Sequence, residues 1–233
     1  MIPSNRFRDR EDAGRRLSVP LLGYTSSNPI VLGLPRGGVP VAFEVARALG
    51  APLDVWVVRK LGVPWQPELA MGAVAEGGVV FLDDALIARL GIGPLEVERE
   101  RERKLLQVEQ RVRQYRGDRP RPTLRDRTVI LVDDGIATGS TARAAVRALR
   151  AERPRELVLA APVAAPDTVA ELGAEFDRVV TVLTPVDLFA IGRWYDDFTQ
   201  VPDDEVRRLV ERAAREYAAA QRTSSKGVQH VSR

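Results

Sequence analysis

One stretch restricts the fold of this chain more than any other: Val129 to Thr141, V-I-L-V-D-D-G-I-A-T-G-S-T. The run Thr128 to Val132 has the length and β-branched content of a buried strand. It delivers two adjacent acids, Asp133 and Asp134, into a glycine-bearing loop, and a helix is expected behind it over 140–151. A strand that ends in acids and turns into a helix is a unit of an α/β domain, where ligands gather at the carboxyl ends of strands. The helix start suits an anion. Backbone amides of 138–141 and the hydroxyls of Thr138, Ser140 and Thr141 make a phosphate cradle, and at Gly139 a side chain would intrude on the anion. Ionised Asp133 and Asp134 only accept hydrogen bonds, so they suit vicinal hydroxyls or metal-bound water rather than phosphate. Vicinal hydroxyls and a phosphate on one ligand describe a ribose 5-phosphate.

The remaining pattern agrees with an α/β fold. Ile30 to Leu34 reads as a buried strand, followed by a helix with Val41, Val45, Ala46 and Leu49 on one face and Gly50 as its stop. Leu53 to Val58 reads as a second strand ending at Arg59–Lys60. Residues 70–75 and 78–82 flank Glu76–Gly77 as a hairpin. From Gly93 to Arg116 a charged helix carries one apolar stripe, Leu105, Val108, Val112 and Tyr115, with its charges read as a solvated face. Residues 118–127 read as a linker. Further strands are expected at 157–161 and 179–183, with a short helix at 166–172 between them. A final helix of about 203–221, capped by Asp203, carries Val206, Leu209, Val210, Ala213 and Tyr217. These elements predict one domain over 1–221 with its core at about 30–184, and a disordered basic tail over 222–233.

Composition removes several chemistries. There is no Cys and a single His, His230, so thiolate nucleophiles, Cys-ligated metals, His triads and His-rich metal sites are excluded. Lys and Arg number 35 against 32 Asp and Glu. The tail from Arg222 holds Arg222, Lys226 and Arg233 without an acid, so the rest of the chain is balanced and no specific nucleic-acid partner is expected. The charged start, MIPSNRFRDRED, is unlike a signal peptide, and the longest apolar run, Leu157 to Ala165, is too short to span a membrane. A cytoplasmic protein without a membrane partner is expected.

Four apolar residues, two acids and A-T-G-S-T resemble the PRPP-binding motif of the type I phosphoribosyltransferases. The resemblance extends over about residues 30–198 in the order of elements. It implies a three-layer sandwich with a mostly parallel twisted sheet in the order 3-2-1-4-5-6, plus a small hood of about 185–200 with the N-terminal segment. It implies transfer of 5-phosphoribosyl from PRPP to a small nitrogenous acceptor, a nucleobase above all, with Mg²⁺ assisting release of pyrophosphate. A homodimer is compatible with it.

Site residues follow from the same resemblance. Asp133, Asp134, Ala137, Thr138, Gly139, Ser140 and Thr141 bind PRPP, the two acids also orienting metal-bound water. Gly33-Leu34-Pro35-Arg36-Gly37-Gly38 stands where the family has its pyrophosphate loop. Arg36, Gly37, Gly38, Arg59 and Lys60 would hold the pyrophosphate, and Arg36 and Lys60 would be catalytic by stabilising its departure. Asp187 to Phe198 is similar to the hood of purine-type members. There Phe189 would stack on the acceptor, beside Ile191 and Trp194, and Asp196 (or Asp197) would be the acid. Ala137 departs from the hypoxanthine–guanine-type members, which carry an acid there, so the acceptor is left open. Glu68 and Glu76 are carboxylates without an assigned role in a segment, Leu61 to about Gly93, expected to close over the site. A non-catalytic PRPP- or nucleotide-sensing protein of the same fold is the alternative, since fold does not fix function.

Overall fold

The protein is described by a computed structural model over residues 6–228, with side chains as far as residue 223. The chain runs through α1 (Arg10–Leu21), β1 (Pro29–Gly33), α2 (Gly38–Leu49) and β2 (Leu53–Val55), then β3 (Val58–Val63), β4 (Gln66–Ala75) and β5 (Val79–Leu82). After α3 (Asp84–Leu90) and α4 (Pro94–Arg116) come β6 (Thr128–Val132), α5 (Ser140–Ala151), β7 (Glu156–Val163), α6 (Pro166–Leu172), β8 (Arg178–Leu183) and α7 (Asp203–Val228).

Five strands form a parallel sheet in the order β2-β1-β6-β7-β8. Its central strands are buried on both faces, which is why they read as unbroken apolar runs. Alternate residues go to opposite sides. Ile30, Leu32, Val129, Leu131, Leu157 and Leu159 pack towards α5 and α6, whereas Val31, Ile130, Val158 and Ala160 pack towards α1, α2 and α7. The result is the expected three-layer α/β sandwich.

The sheet keeps the expected order except at one position. No strand among the described residues lies beyond β2. After Val55 the chain leaves the sheet, with the Trp56 amide donating to the Gly33 carbonyl at 3.0 Å, and β3, β4 and β5 form a separate antiparallel sheet. Arg59 and Lys60 therefore sit within β3, opposite Val74 and Ala73, and not at the end of a core strand. The hairpin around Glu76–Gly77 forms as expected between β4 and β5. Leu61 to Gly93, expected as a covering loop, is instead this sheet with α3. It has a core of its own: Leu61, Met71 and Val74 pack with Val97, Val108 and Tyr115 of α4 and Val206 and Val210 of α7.

Glu76 has a structural role. Its carboxylate is buried and takes both terminal nitrogens of Arg116, one of them at 2.8 Å, while Arg116 Nε donates to Asp54 Oδ2 at 2.8 Å. Arg121 Nε adds a fourth charge, 3.2 Å from Glu76. Burial pushes the Asp54 carboxyl above its ordinary range despite the guanidinium beside it. Asp203 is the first residue of α7 and ties that helix to α4: it accepts from the Tyr115 hydroxyl at 2.5 Å and from Arg111 at 2.7 Å. Burial and the neighbouring carboxylate push the Tyr115 hydroxyl up to about 12. Helix α7 runs past Gln221, where its end was expected, as far as Val228; residues 229–233 of the expected disordered tail lie outside the described residues. No helix among the described residues is long and apolar enough to cross a membrane.

Candidate functional site

The two candidate ligand loops follow β1 and β6, which are hydrogen-bonded neighbours at the point where the strand order reverses. They touch. Leu34 N donates to Val132 O at 2.9 Å, and the Pro35–Arg36 peptide bond between them and α2 is cis. Gly37 and Gly38 are glycines because of this contact. A Cβ on Gly37 would collide with the Asp134 carboxylate, and one on Gly38 would lie 2.9 Å from the Asp133 Cα. These two glycines therefore admit the neighbouring loop, whatever else they admit.

The two acids differ in their surroundings. Asp134 Oδ2 accepts from Arg10 Nε at 2.8 Å, and its carbonyl accepts from the Tyr195 hydroxyl at 2.6 Å. The Asp133 carboxylate accepts from the Asp134 amide at 2.9 Å, lies against the Asp134 carboxyl, and has no ion-pair partner among the described residues. Burial raises both carboxyls above the ordinary range. Asp133 is raised further by the charge of Asp134, while Arg10 pulls Asp134 back down.

The candidate anion cradle lies at the start of α5. No side chain caps this helix, so its first-turn amides have no side-chain acceptor. The Thr138 and Ser140 hydroxyls are 2.9 Å apart, and the loop is held from outside by Arg143 on the Thr138 carbonyl (2.6 Å) and by the Thr168 hydroxyl on the Ala137 carbonyl (2.7 Å). Gly139 is buried, has φ +70°, and a Cβ there would lie 3.0 Å from Thr168 Cγ2 and 3.1 Å from Leu172 Cδ1. Its side chain would thus meet α6, and the left-handed backbone itself calls for glycine. Gly139→Ala should therefore lower folding stability by about 1–2 kcal/mol, read from urea denaturation, with no ligand present.

Beside the cradle opens a cavity of about 600 Å³. Arg36, Arg59, Lys60 and Thr141 all line it, so the structure brings together the basic residues read from two separate segments. Helix α4 supplies the far wall with Arg103, Lys104 and Arg111. Two acids, Glu68 and Glu100, also line it. Glu68 is 3.6 Å from Lys60, and Glu100 is shared by Arg103 and Lys104. Arg36 and Arg59 are half-buried, and their guanidinium groups have no hydrogen-bonding or ion-pair partner among the described residues. Trp56, whose buried indole N–H also lacks an acceptor there, forms part of the same wall.

The hood residues take different positions. Ile191 packs against Gly135, where any Cβ would strike it, so the segment lies directly over the acidic loop. Phe189 is 80 % exposed, with the Arg193 guanidinium 5.9 Å from its ring. Trp194 packs into the small cluster of Phe7 and Tyr195, and its carbonyl accepts from the Phe7 amide at 2.8 Å. Asp196 faces Arg6 at 3.4 Å, and Asp197 accepts from Thr199. No group of three or more acids or His among the described residues could hold a metal ion directly.

Residues 7–196 match the family model described as the phosphoribosyl transferase domain. The chain belongs to this family. Two curated Mycobacterium tuberculosis proteins, named "Putative phosphoribosyl transferase" MT0597 and Rv0571c, are each 47 % identical to it over 214 residues, 92 % of this chain. The match covers 48 % of each of them, so the chain spans about half the length of these curated relatives. The crystal structure of TT1426 from Thermus thermophilus is 44 % identical, with a TM-score of 0.80 over 88 % of this chain and 97 % of that one.

Sequence reading of this phosphoribosyl transferase domain missed four basic contributors, Arg103, Lys104 and Arg111 of α4 and Arg10 of α1. Arg103 and Lys104 lie on the charged face of α4, which helical periodicity marks as polar without showing what it borders. A signal for one of them existed: Lys occurs only at 60, 104 and 226, and the first two meet at one cavity. Arg10 carries no local signal, since its partner Asp134 lies 124 residues away.

Proposed function

We propose that this protein transfers the 5-phosphoribosyl group of PRPP to a small nitrogen nucleophile, a nucleobase above all, releasing pyrophosphate. The observation that carries the reading is the pair of half-buried, unpartnered guanidiniums, Arg36 and Arg59, in a cationic cavity that shares Thr141 with the phosphate cradle. Half-buried cations beside an empty volume favour an anion there.

The chain's residues divide the work. The start of α5 receives the 5-phosphate through its amides and the Thr138, Ser140 and Thr141 hydroxyls, with the helix dipole favouring negative charge. The acid pair accepts from the ribose hydroxyls. Arg36, Arg59 and Lys60 stabilise the charge that grows on the departing pyrophosphate, and so act most strongly where the bond to C1 is breaking. Phe189 gives a flat, exposed face for a heterocycle on the hood side. The donor set fits Mg²⁺ held through water, because the Asp133 carboxylate has no ion-pair partner among the described residues and lies beside a second carboxyl. When bound, the ion supplies neutralisation of pyrophosphate and ribose oxygens.

Pyrophosphate release from PRPP and Mg²⁺ across a panel of purines, pyrimidines and amines tests this reading. One acceptor or more should support turnover, and Asp133→Asn should weaken PRPP binding about tenfold by calorimetry while the protein stays folded. Tight PRPP binding with no turnover on the whole panel would replace the enzyme by a sensor.

A further inference from the structure

Helix α1 begins at a residue that reaches into the ribose site. Arg10 Nε donates to Asp134 Oδ2 at 2.8 Å, and the two side chains are only 11 % and 14 % exposed. The guanidinium is fixed on two more sides. Its Nη1 donates to the Thr199 carbonyl at 2.8 Å, and its Cζ lies 4.0 Å from the centre of the Phe198 ring. Tyr195, three residues before Phe198, donates its hydroxyl to the Asp134 carbonyl. The carboxylate and the carbonyl of a single acid are thus held by the N-terminal helix and the hood together. The arrangement is rigid, because a planar guanidinium stacked on a ring and bonded at two nitrogens has little freedom left.

We propose that Arg10 is a positioning residue of the ribose site, which divides the acid pair into two unlike groups. This rests on the reading of PRPP as ligand. Adjacent carboxylates in a half-buried loop repel each other and also repel a ligand with phosphate at both ends. Arg10 cancels the charge of Asp134 and fixes its carboxylate against Gly37, so that only its second oxygen is open to a ribose hydroxyl. Asp133, with no cation in contact, is left as the acceptor for the other hydroxyl and for metal-bound water. The site then presents one net negative charge to the ribose in place of two.

The test compares two ligands on one set of variants. PRPP needs the ribose site, whereas inorganic pyrophosphate needs only the cavity of Arg36, Arg59 and Lys60. Calorimetry with Mg²⁺ should show Arg10→Met lowering PRPP affinity by about tenfold or more, Arg10→Lys recovering part of it, and pyrophosphate affinity unchanged in both. In an Asp134→Asn background, Arg10→Met should cause no further loss. Thermal unfolding checks that each variant is folded. Wild-type PRPP affinity in a folded Arg10→Met protein overturns the proposal while leaving the function standing. So do equal losses for PRPP and pyrophosphate, or additive losses in the double variant. If the wild-type protein itself binds no PRPP, the functional reading falls and this one with it.

Discussion

Arg116→Met should cost about 3–5 kcal/mol of folding stability. The reason is what stays behind. Asp54 and Glu76 are both buried, and Arg116 is the group that contacts both carboxylates. Removing it leaves two charges without water and without their main counter-ion; Arg121, itself shared with Glu152, reaches only Glu76. Lost hydrogen bonds add to this, because Arg116 also donates to the Val55 carbonyl at 3.3 Å. Equilibrium urea denaturation gives the number. A loss below about 1 kcal/mol would mean that water reaches the cluster and that it is a surface network. The triple change Asp54→Asn, Glu76→Gln, Arg116→Met should recover a large part of the loss, since no buried charge then remains.

Arg36→Ala should lower kcat by about 10²–10³-fold, and Lys60→Ala should lower kcat more than it weakens PRPP binding. Both side chains face the cavity, but they are differently committed. The Arg36 guanidinium has no partner among the described residues, whereas Lys60 is 3.6 Å from a Glu68 carboxylate that is itself almost fully exposed. Arg36 is therefore the more available cation in the ground state, and its loss should also raise the Kd for PRPP. In the proposed reaction Lys60 can leave Glu68 at little cost as charge develops on the pyrophosphate, so its effect is expected on the rate. Steady-state kinetics with direct PRPP binding separate the two. Equal effects of Lys60→Ala on binding and on turnover would assign Lys60 to ground-state affinity alone.

The central sheet was legible because burial on both faces leaves a mark in composition: T-V-I-L-V and L-V-L-A-A are short apolar runs bounded by polar or Pro/Gly segments, which reads as core strand. The candidate ligand loop was legible for a second reason, since its acids, hydroxyls and glycine are consecutive. The small sheet was not. L-D-V-W-V-V is apolar throughout, and apolarity does not record that hydrogen bonding passes from the parallel sheet to an antiparallel one after Val55. Glu76 read as a spare carboxylate because its partner Arg116 is 40 residues away, on a helix whose charges read as a solvated face. The polar face of α4 in fact does three things. Its Glu98–Arg101 pair faces solvent, Arg103 and Lys104 border the cavity, and Arg116 is buried. Periodicity assigns a face to each residue, but contacts between distant segments decide what that face meets.

The pairing of Phe7 with Tyr195, and of Arg10 with Asp134, has a consequence for the order in which the molecule is made. Contacts between such widely separated residues form late, because a long loop must close first. During synthesis, β1, α2 and the small sheet can begin to pack while residues 195–199 are still inside the ribosome. Helix α1 can already pack on α2 through Leu17 and Leu21, but Phe7 has no Tyr195, and the Arg10 guanidinium no Phe198 ring, until those residues emerge. The support of the acidic loop is then completed late, and a chain arrested before Tyr195 would lack the hydroxyl that holds the Asp134 carbonyl and the ring on which the Arg10 guanidinium stacks.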